Sequence, residues 1–306
     1  MTQTMSQLNI LIIGGSGFLS GTLARFAVGR GHSVWTITRG KKPVPTGVTA
    51  LTADRYARSA FGAAVRAVDR QWDLVVDCIA YEPGDIRQDL ELFSERTRHL
   101  VFVSTDFVYD PAGRRYPQSE ESDRYLTEGY GGKKRECELL LESAPPSPMH
   151  WTILRPGHIY GPGSELGCLP LHSRDPQLIA ALRAGQPLSL VGEGLFLQQP
   201  VRALDLSSVI LALHGSETTY EKTFCIAGPD VVESREYYAI IARTLGVPLR
   251  VTAVTVEEHL SSSPASAPFL CHRFYDLTAL ARAGVPLPDT SLEEGLREHV
   301  LSITEN

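Results

Sequence analysis

The sequence predicts an α/β chain in which an open, doubly wound parallel sheet carries helices on both faces. Three observations lead there. Short apolar runs alternate with amphipathic stretches through the first half, those runs are continuous in Val, Ile and Leu, and a glycine-rich turn joins the first run to the first helical stretch. Strands covered on both faces read as unbroken apolar runs. Strand–helix alternation builds βαβ units with parallel strands.

The candidate strands are Asn9–Ile13, Ser33–Ile37, Val48–Leu51, Leu74–Asp77, Leu100–Ser104 and Thr152–Arg155. Helical patterns fall between them near residues 18–30, 56–69, 84–95 and 127–143. After Arg155 the pattern changes to a glycine-rich loop at Gly161–Gly167 and helices near 175–184, 205–214, 233–245 and 291–303. The Pro- and Ser-rich stretches Ala144–Pro148 and Ser261–Pro268 read as surface loops within one folded unit.

The chain has 306 residues, 43% hydrophobic and 21% charged, enough to bury a full core, and its net charge of −6 argues against a nucleic-acid-binding surface. Its five cysteines, Cys78, Cys137, Cys168, Cys225 and Cys271, show no CxxC or Cys/His spacing. They imply a reducing compartment and no metal centre. No apolar run approaches the ~20 residues that span a bilayer. The polar start MTQTMSQ runs straight into an apolar strand, so a cytoplasmic protein without a secretory signal or membrane partner is expected.

The first strand leads into Gly14-Gly15-Ser16-Gly17-Phe18-Leu19-Ser20-Gly21 and then a helix. Gly14 permits a tight turn and Gly17 lets the backbone approach a pyrophosphate, which the following helix N-terminus attracts with its amides and dipole. Placed between a strand and a helix, the motif predicts a dinucleotide site of Rossmann type, with Gly14, Ser16, Gly17, Phe18 and Leu19 around the phosphates. Ser20 stands where the third glycine is usual. The second strand ends in Thr38-Arg39-Gly40-Lys41-Lys42 with no carboxylate to take a ribose 2′-hydroxyl. Arg39 there favours a 2′-phosphate, so NADP is preferred over NAD.

The fifth strand ends in Val103-Ser104-Thr105-Asp106-Phe107, and Tyr130-Gly-Gly-Lys-Lys134 opens the next helix. The i, i+4 spacing puts Tyr130 and Lys134 on one helix face. A nearby ammonium is expected to lower the phenol toward working pH, making Tyr130 a proton carrier for a carbon that exchanges hydride. Thr105 would hold the same oxygen. Asp106 reads as a turn cap or an auxiliary acid, and His158, alone, reads as structural.

With these motifs together the sequence resembles the extended short-chain dehydrogenase/reductase family, also called NAD-dependent epimerase/dehydratase, over nearly its whole length. GGSGFLSG, Asp54, Asp77-Cys-Ile-Ala80, STDFVYD, YGGKK, LRPGHIYGPG, Val191-Gly-Glu-Gly194 and the Val201…Asp205 helix start carry the resemblance. It implies residues 1–160 as a dinucleotide-binding Rossmann domain. Residues 161–306 would be mostly a substrate-binding region, with a helix near 205–214 and a strand near 223–227 returning to the Rossmann core. It further implies that Asp54 contacts the adenine, that Ile79 and Ala80 line the nicotinamide ribose beside Ser104, and that Pro156 to His158 pass the nicotinamide ring. Catalysis falls to Thr105, Tyr130 and Lys134.

The implied reaction is hydride transfer at a carbinol or ketone carbon, foremost C4 of a nucleotide-activated sugar, by reduction or epimerisation. Phe107, where 4,6-dehydratases carry glutamate, disfavours dehydration. Tyr81, Asp106, Gln198 and Arg202 are candidate substrate contacts. Gln198 occupies the place where epimerases hold the substrate pyrophosphate with arginine, leaving Arg202, Arg155 or Arg273 to supply the charge. A homodimer through the helices near 84–95 and 127–143 is implied as well. The alternative is a non-catalytic dinucleotide- or RNA-binding protein: the GKKP turn, Ala53-Asp54-Arg55 and the Tyr160-Gly-Pro162 region resemble chloroplast stem-loop RNA-binding members of the family, which tend to lack the tyrosine.

Overall fold

The structure, a computed structural model, describes residues 7–305; the polar segment 1–6, on which most of the secretory reading rests, lies outside them. Seven strands form the central sheet: β1 (Asn9–Ile13), β2 (Ser33–Thr38), β3 (Thr49–Thr52), β4 (Trp72–Asp77), β5 (Thr97–Val103), β6 (His150–Pro156) and β7 (Lys222–Ile226). Their spatial order is β7-β6-β5-β4-β1-β2-β3, and every adjacent pair is parallel. The chain therefore has an α/β fold with a Rossmann-type doubly wound sheet.

The unbroken apolar runs have a direct cause. In β1, Ile10 and Ile12 enter one core with Leu23, Ala27, Leu206 and Ile210, while Leu11 and Ile13 enter the other with Phe61, Ile86, Phe93 and Cys137. Successive side chains point to opposite faces, and both faces are covered. Each buried Leu or Ile contributes about 1.5–3 kcal/mol. Helices α1 (Phe18–Gly29) and α5 (Ala203–Leu213) cover the first face; α2 (Arg58–Arg66), α3 (Pro83–Phe93) and α4 (Gly129–Glu142) cover the second.

A third core gathers Tyr160, Leu166, Leu178, Leu188, Tyr237, Tyr238, Ile241 and Leu296 around α6 (Ser234–Leu245) and α7 (Leu292–Thr304). It includes a parallel strand pair, Leu188–Val191 with Val251–Val254, too short to show in the apolar pattern. The stretch Ser261–Pro268 is not an irregular loop. Ser261 and Ser262 finish a helix begun at Val256, capped by Thr255 Oγ1 accepting from the Glu258 amide at 3.1 Å, and Pro264–Phe269 forms a 3-10 turn. The two serines donate back to the Glu257 and Glu258 carbonyls, so hydroxyls that favour loops elsewhere are absorbed by the helix end.

Candidate active site

Two cavities open at the C-terminal ends of the sheet strands, where α/β folds bind ligands. The first, about 490 Å³, is walled by Gly14, Ser16 and Gly17 after β1, Arg39, Lys41 and Lys42 after β2, Asp54 after β3, and Ile79 and Tyr81 after β4. The second, about 560 Å³, is walled by Ser104 to Phe107 after β5, Pro156 to Ile159 after β6, Tyr130, Arg174, Phe269 and Arg273. The rings of Tyr81 and Tyr130, one from each wall, stand 6.3 Å apart.

The glycine turn is shaped for a dinucleotide. Gly15 has φ +100°, and a Cβ there would lie 2.3 Å from Thr36, so only glycine lets the turn close on β2. The Gly17 amide donates to Ser20 Oγ at 3.2 Å, which keeps the hydroxyl at the third-glycine position inside the turn. Phe18 and Leu19 begin α1, whose first amides lack intrahelical acceptors and face the side where an anion binds. A dinucleotide fits these residues. Arg39, Lys41 and Lys42 stand exposed along one wall, and Asp54 accepts the Tyr56 amide at 3.0 Å within its own turn.

The loop after β4 is set by Arg55, which the sequence offers only within the Ala53-Asp54-Arg55 resemblance. Buried Arg55 pairs with Asp77 at 2.5 Å and Asp89 at 2.6 Å. Asp77 in turn accepts the Ile79 amide at 2.7 Å and the Ala80 amide at 2.9 Å. Burial by itself would raise the Asp77 carboxyl; Arg55 and the amides outweigh it and hold it below the usual range. A lone arginine after a short strand gives no sequence signal of this role.

Tyr130 reaches Thr105 because of its glycines. A Cβ on Gly131 would fall 2.0 Å from the Phe107 carbonyl oxygen, so the first turn of α4 lies directly on the end of β5. The Tyr130 ring packs against Phe107 at 6.1 Å, and half of the residue remains exposed at the cavity mouth. Thr105 Oγ1 accepts the Phe107 amide at 3.2 Å, leaving its proton to point elsewhere. Thr105, not Asp106, is thus the cap of this turn.

The expected acidification of Tyr130 is not seen. Burial, with Tyr81 adding to it, pushes the phenol up to about 12; the side-chain hydrogen bond from Thr105 works the other way. Lys134 is fully buried and donates to the Ala80 carbonyl at 2.9 Å and the Val103 carbonyl at 2.7 Å, so its charge is spent on the loop and strand ends. Burial pushes Lys134 itself down to about 8 despite nearby Asp77.

Of the weaker candidates, the second cavity holds only Asp106. Its carboxylate accepts Arg114 at 2.9 Å, Tyr275 at 2.8 Å and Arg273, so it orders arginines rather than facing a substrate alone. Burial would raise it, but Arg273 and Arg114 hold it below the carboxylate range. Tyr81 belongs to the dinucleotide cavity. Gln198 is buried in short bridges to Val232 and Arg273 and lines neither cavity. Arg202 is engaged by Glu298 and Asp205 and lines neither. Arg155 is buried on Glu138 at 2.7 Å, which leaves Arg273 as the arginine of the three that lines the second cavity. His158 also lies in this wall, and burial pushes its imidazole down to about 4, so it is neutral.

A model of the NAD dependent epimerase/dehydratase family matches residues 90–227, the segment carrying Thr105, Tyr130, Lys134 and His158. Over that segment the chain is similar to the NAD dependent epimerase/dehydratase family. A dTDP-4-dehydro-6-deoxy-D-allose reductase from a Streptomyces species is 24% identical over 322 residues, covering 94% of each chain. The chloroplast stem-loop binding protein of 41 kDa b from Arabidopsis thaliana is 26% identical over 237 residues; the match covers 74% of this chain and 60% of that relative's length. Among solved structures, an epimerase from Methanothermobacter thermautotrophicus aligns with TM-score 0.81 at 16% identity, covering 98% of this chain and 93% of that one. A UDP-glucose 4-epimerase from Thermotoga maritima, solved with UDP-glucose, aligns at 0.78 and 16% identity, covering 97% and 99%. The structural likenesses show a shared fold, and among the described residues no helix is long and apolar enough to cross a membrane.

Proposed function

We propose that this chain is an NADP-preferring reductase that delivers hydride to a ketone carbon, foremost C4 of a nucleotide-activated sugar, with Tyr130 as proton donor. The observation that carries the reading is the meeting of the Tyr130 phenol and the Thr105 hydroxyl on one cavity wall, next to the cavity built by the glycine turn. Gly14, Ser16, Gly17, Phe18 and Leu19 would hold the dinucleotide, with Asp54, Ile79, Ala80, Ser104, Pro156 and His158 as further contacts, and the bound dinucleotide would supply the hydride. Tyr130 gives its proton to the carbonyl oxygen as the carbon is reduced, and Thr105 donates a hydrogen bond to the same oxygen. A phenol held above its ordinary value enters this step protonated, which suits reduction better than the oxidation that opens an epimerase cycle.

Arg39 on the first cavity, with no acidic residue at that turn, supports a 2′-phosphate and hence NADPH. The relative that carries a reductase name supports the direction, and its name supports a nucleotide sugar as substrate. The family resemblance supports a homodimer in the cytoplasm through α3 and α4, which pack side by side and leave Leu139 exposed. A second reading, a dinucleotide- or RNA-binding protein without catalysis, is favoured by the chloroplast relative and opposed by the presence of both Tyr130 and Lys134. The test is NADPH carrying deuterium at the transferred position, offered with a dTDP-4-dehydro sugar. Deuterium on C4 of the product is expected. Product without label, or no product while the chain retains a stem-loop RNA, overturns the reading.

A further inference from the structure

The loop between Leu166 and Asp175 is anchored in the C-terminal region yet ends over the dinucleotide side. Its base is closed by the Asp175 amide donating to the Leu166 carbonyl at 2.8 Å. The Tyr238 hydroxyl accepts the Cys168 amide at 3.1 Å and donates to the Cys168 carbonyl at 2.8 Å, and His172 reaches the Ser189 carbonyl at 2.9 Å. A Cβ on Gly167 would fall 1.8 Å from the His172 carbonyl oxygen, so the loop is folded tightly on itself. From this mount the chain turns through a left-handed Arg174, φ +53°, a conformation that non-glycine residues adopt at an energetic cost.

Arg174 is exposed and has no hydrogen-bond or ion-pair partner among the described residues. Its guanidinium lies 6.0 Å from the ring centre of Phe18, the first residue of α1. Its charge is felt at Tyr81 in the first cavity and at Tyr130 and His158 in the second. Arg174 therefore stands at the junction of the two cavities, above the helix end that attracts phosphate. An unpaired guanidinium fixed there by an anchored loop has the fork geometry for a diphosphate.

We propose that Arg174 is a latch from the C-terminal region that binds the diphosphate of the dinucleotide from the side opposite the glycine turn. This rests on the dinucleotide reading above. Charge on both sides then joins the two halves of the molecule when the dinucleotide binds.

The test is fluorescence titration of wild type, Arg174→Gln and Arg39→Gln with NADPH and with adenosine 2′-monophosphate, which lacks the diphosphate. Arg174→Gln is expected to weaken NADPH about tenfold, the scale of one charged hydrogen bond, and to leave adenosine 2′-monophosphate unchanged. Arg39→Gln should weaken both. An NADPH affinity in Arg174→Gln within twofold of wild type overturns the latch. So does a rise confined to the KM of the sugar, which assigns the phosphate to the substrate instead. Wild type that binds neither NADPH nor NADH overturns the dinucleotide reading itself, an outcome distinct from the other two.

Discussion

Lys134 is buried against the rings of Phe102 and Tyr81, with its ammonium on two backbone carbonyls. Burial pushes it from 10.5 down to about 8. An unfolded lysine keeps its proton to higher pH than this folded one, so between about 8 and 10.5 the unfolded state binds more protons and folding grows more favourable as pH rises. Denaturant unfolding at neutral pH and near pH 10 is expected to show wild type gaining on the order of 3 kcal/mol relative to Lys134→Met across that window. A difference that stays constant with pH would contradict a buried charge at Lys134. The pairing of Tyr130 with Lys134 was legible from spacing alone. Their ionisation was not, because burial and the Ala80 and Val103 carbonyls come from segments distant in sequence.

At the scale of elements, α4 ties the proposed catalytic groups together. Glu138, one turn beyond Lys134, is fully buried and accepts Ser104 at 2.5 Å, Arg155 at 2.9 and 2.7 Å, and Arg135 at 2.8 Å. This carboxylate fastens the helix to the ends of β5 and β6. Glu138→Ala leaves Arg155 buried without its anion and is expected to lower stability by about 3–5 kcal/mol in chemical denaturation; a loss below about 1 kcal/mol, the range of an exposed pair, would show the clamp to be idle. Most of the strands were readable because both faces are apolar, and α3 was readable from the amphipathic stretch near 84–95. Gly131 was quoted in the motif for its neighbours; its own role, clearing the Phe107 carbonyl, depends on a contact that no local pattern encodes.

Across the whole molecule, the half before Gly161 was legible nearly residue by residue, and the half after it only as helices and one strand near 223–227 that returns to the sheet. The reason is physical: the first half repeats one unit whose period shows in the chain, whereas the cluster behind the second cavity, Asp106, Arg114, Arg273 and Tyr275, is brought together from segments distant in sequence. Two buried arginines on one carboxylate leave Nε of Arg273 and Nε and Nη1 of Arg114 without partners among the described residues, donors that a buried ordered water would satisfy. The molecule thus has a first cavity, the proposed dinucleotide site, set by local motifs, and a second, the proposed substrate site, set by long-range packing, with the Tyr81 and Tyr130 rings facing each other from the two walls. The most direct measurement compares NADPH oxidation on a dTDP-4-dehydro sugar by wild type and Tyr130→Phe, with NADPH affinity measured in parallel. Turnover should fall about 10²–10⁴-fold, the worth of a general acid, while affinity stays within severalfold; a Tyr130→Phe variant that turns over like wild type would contradict the account.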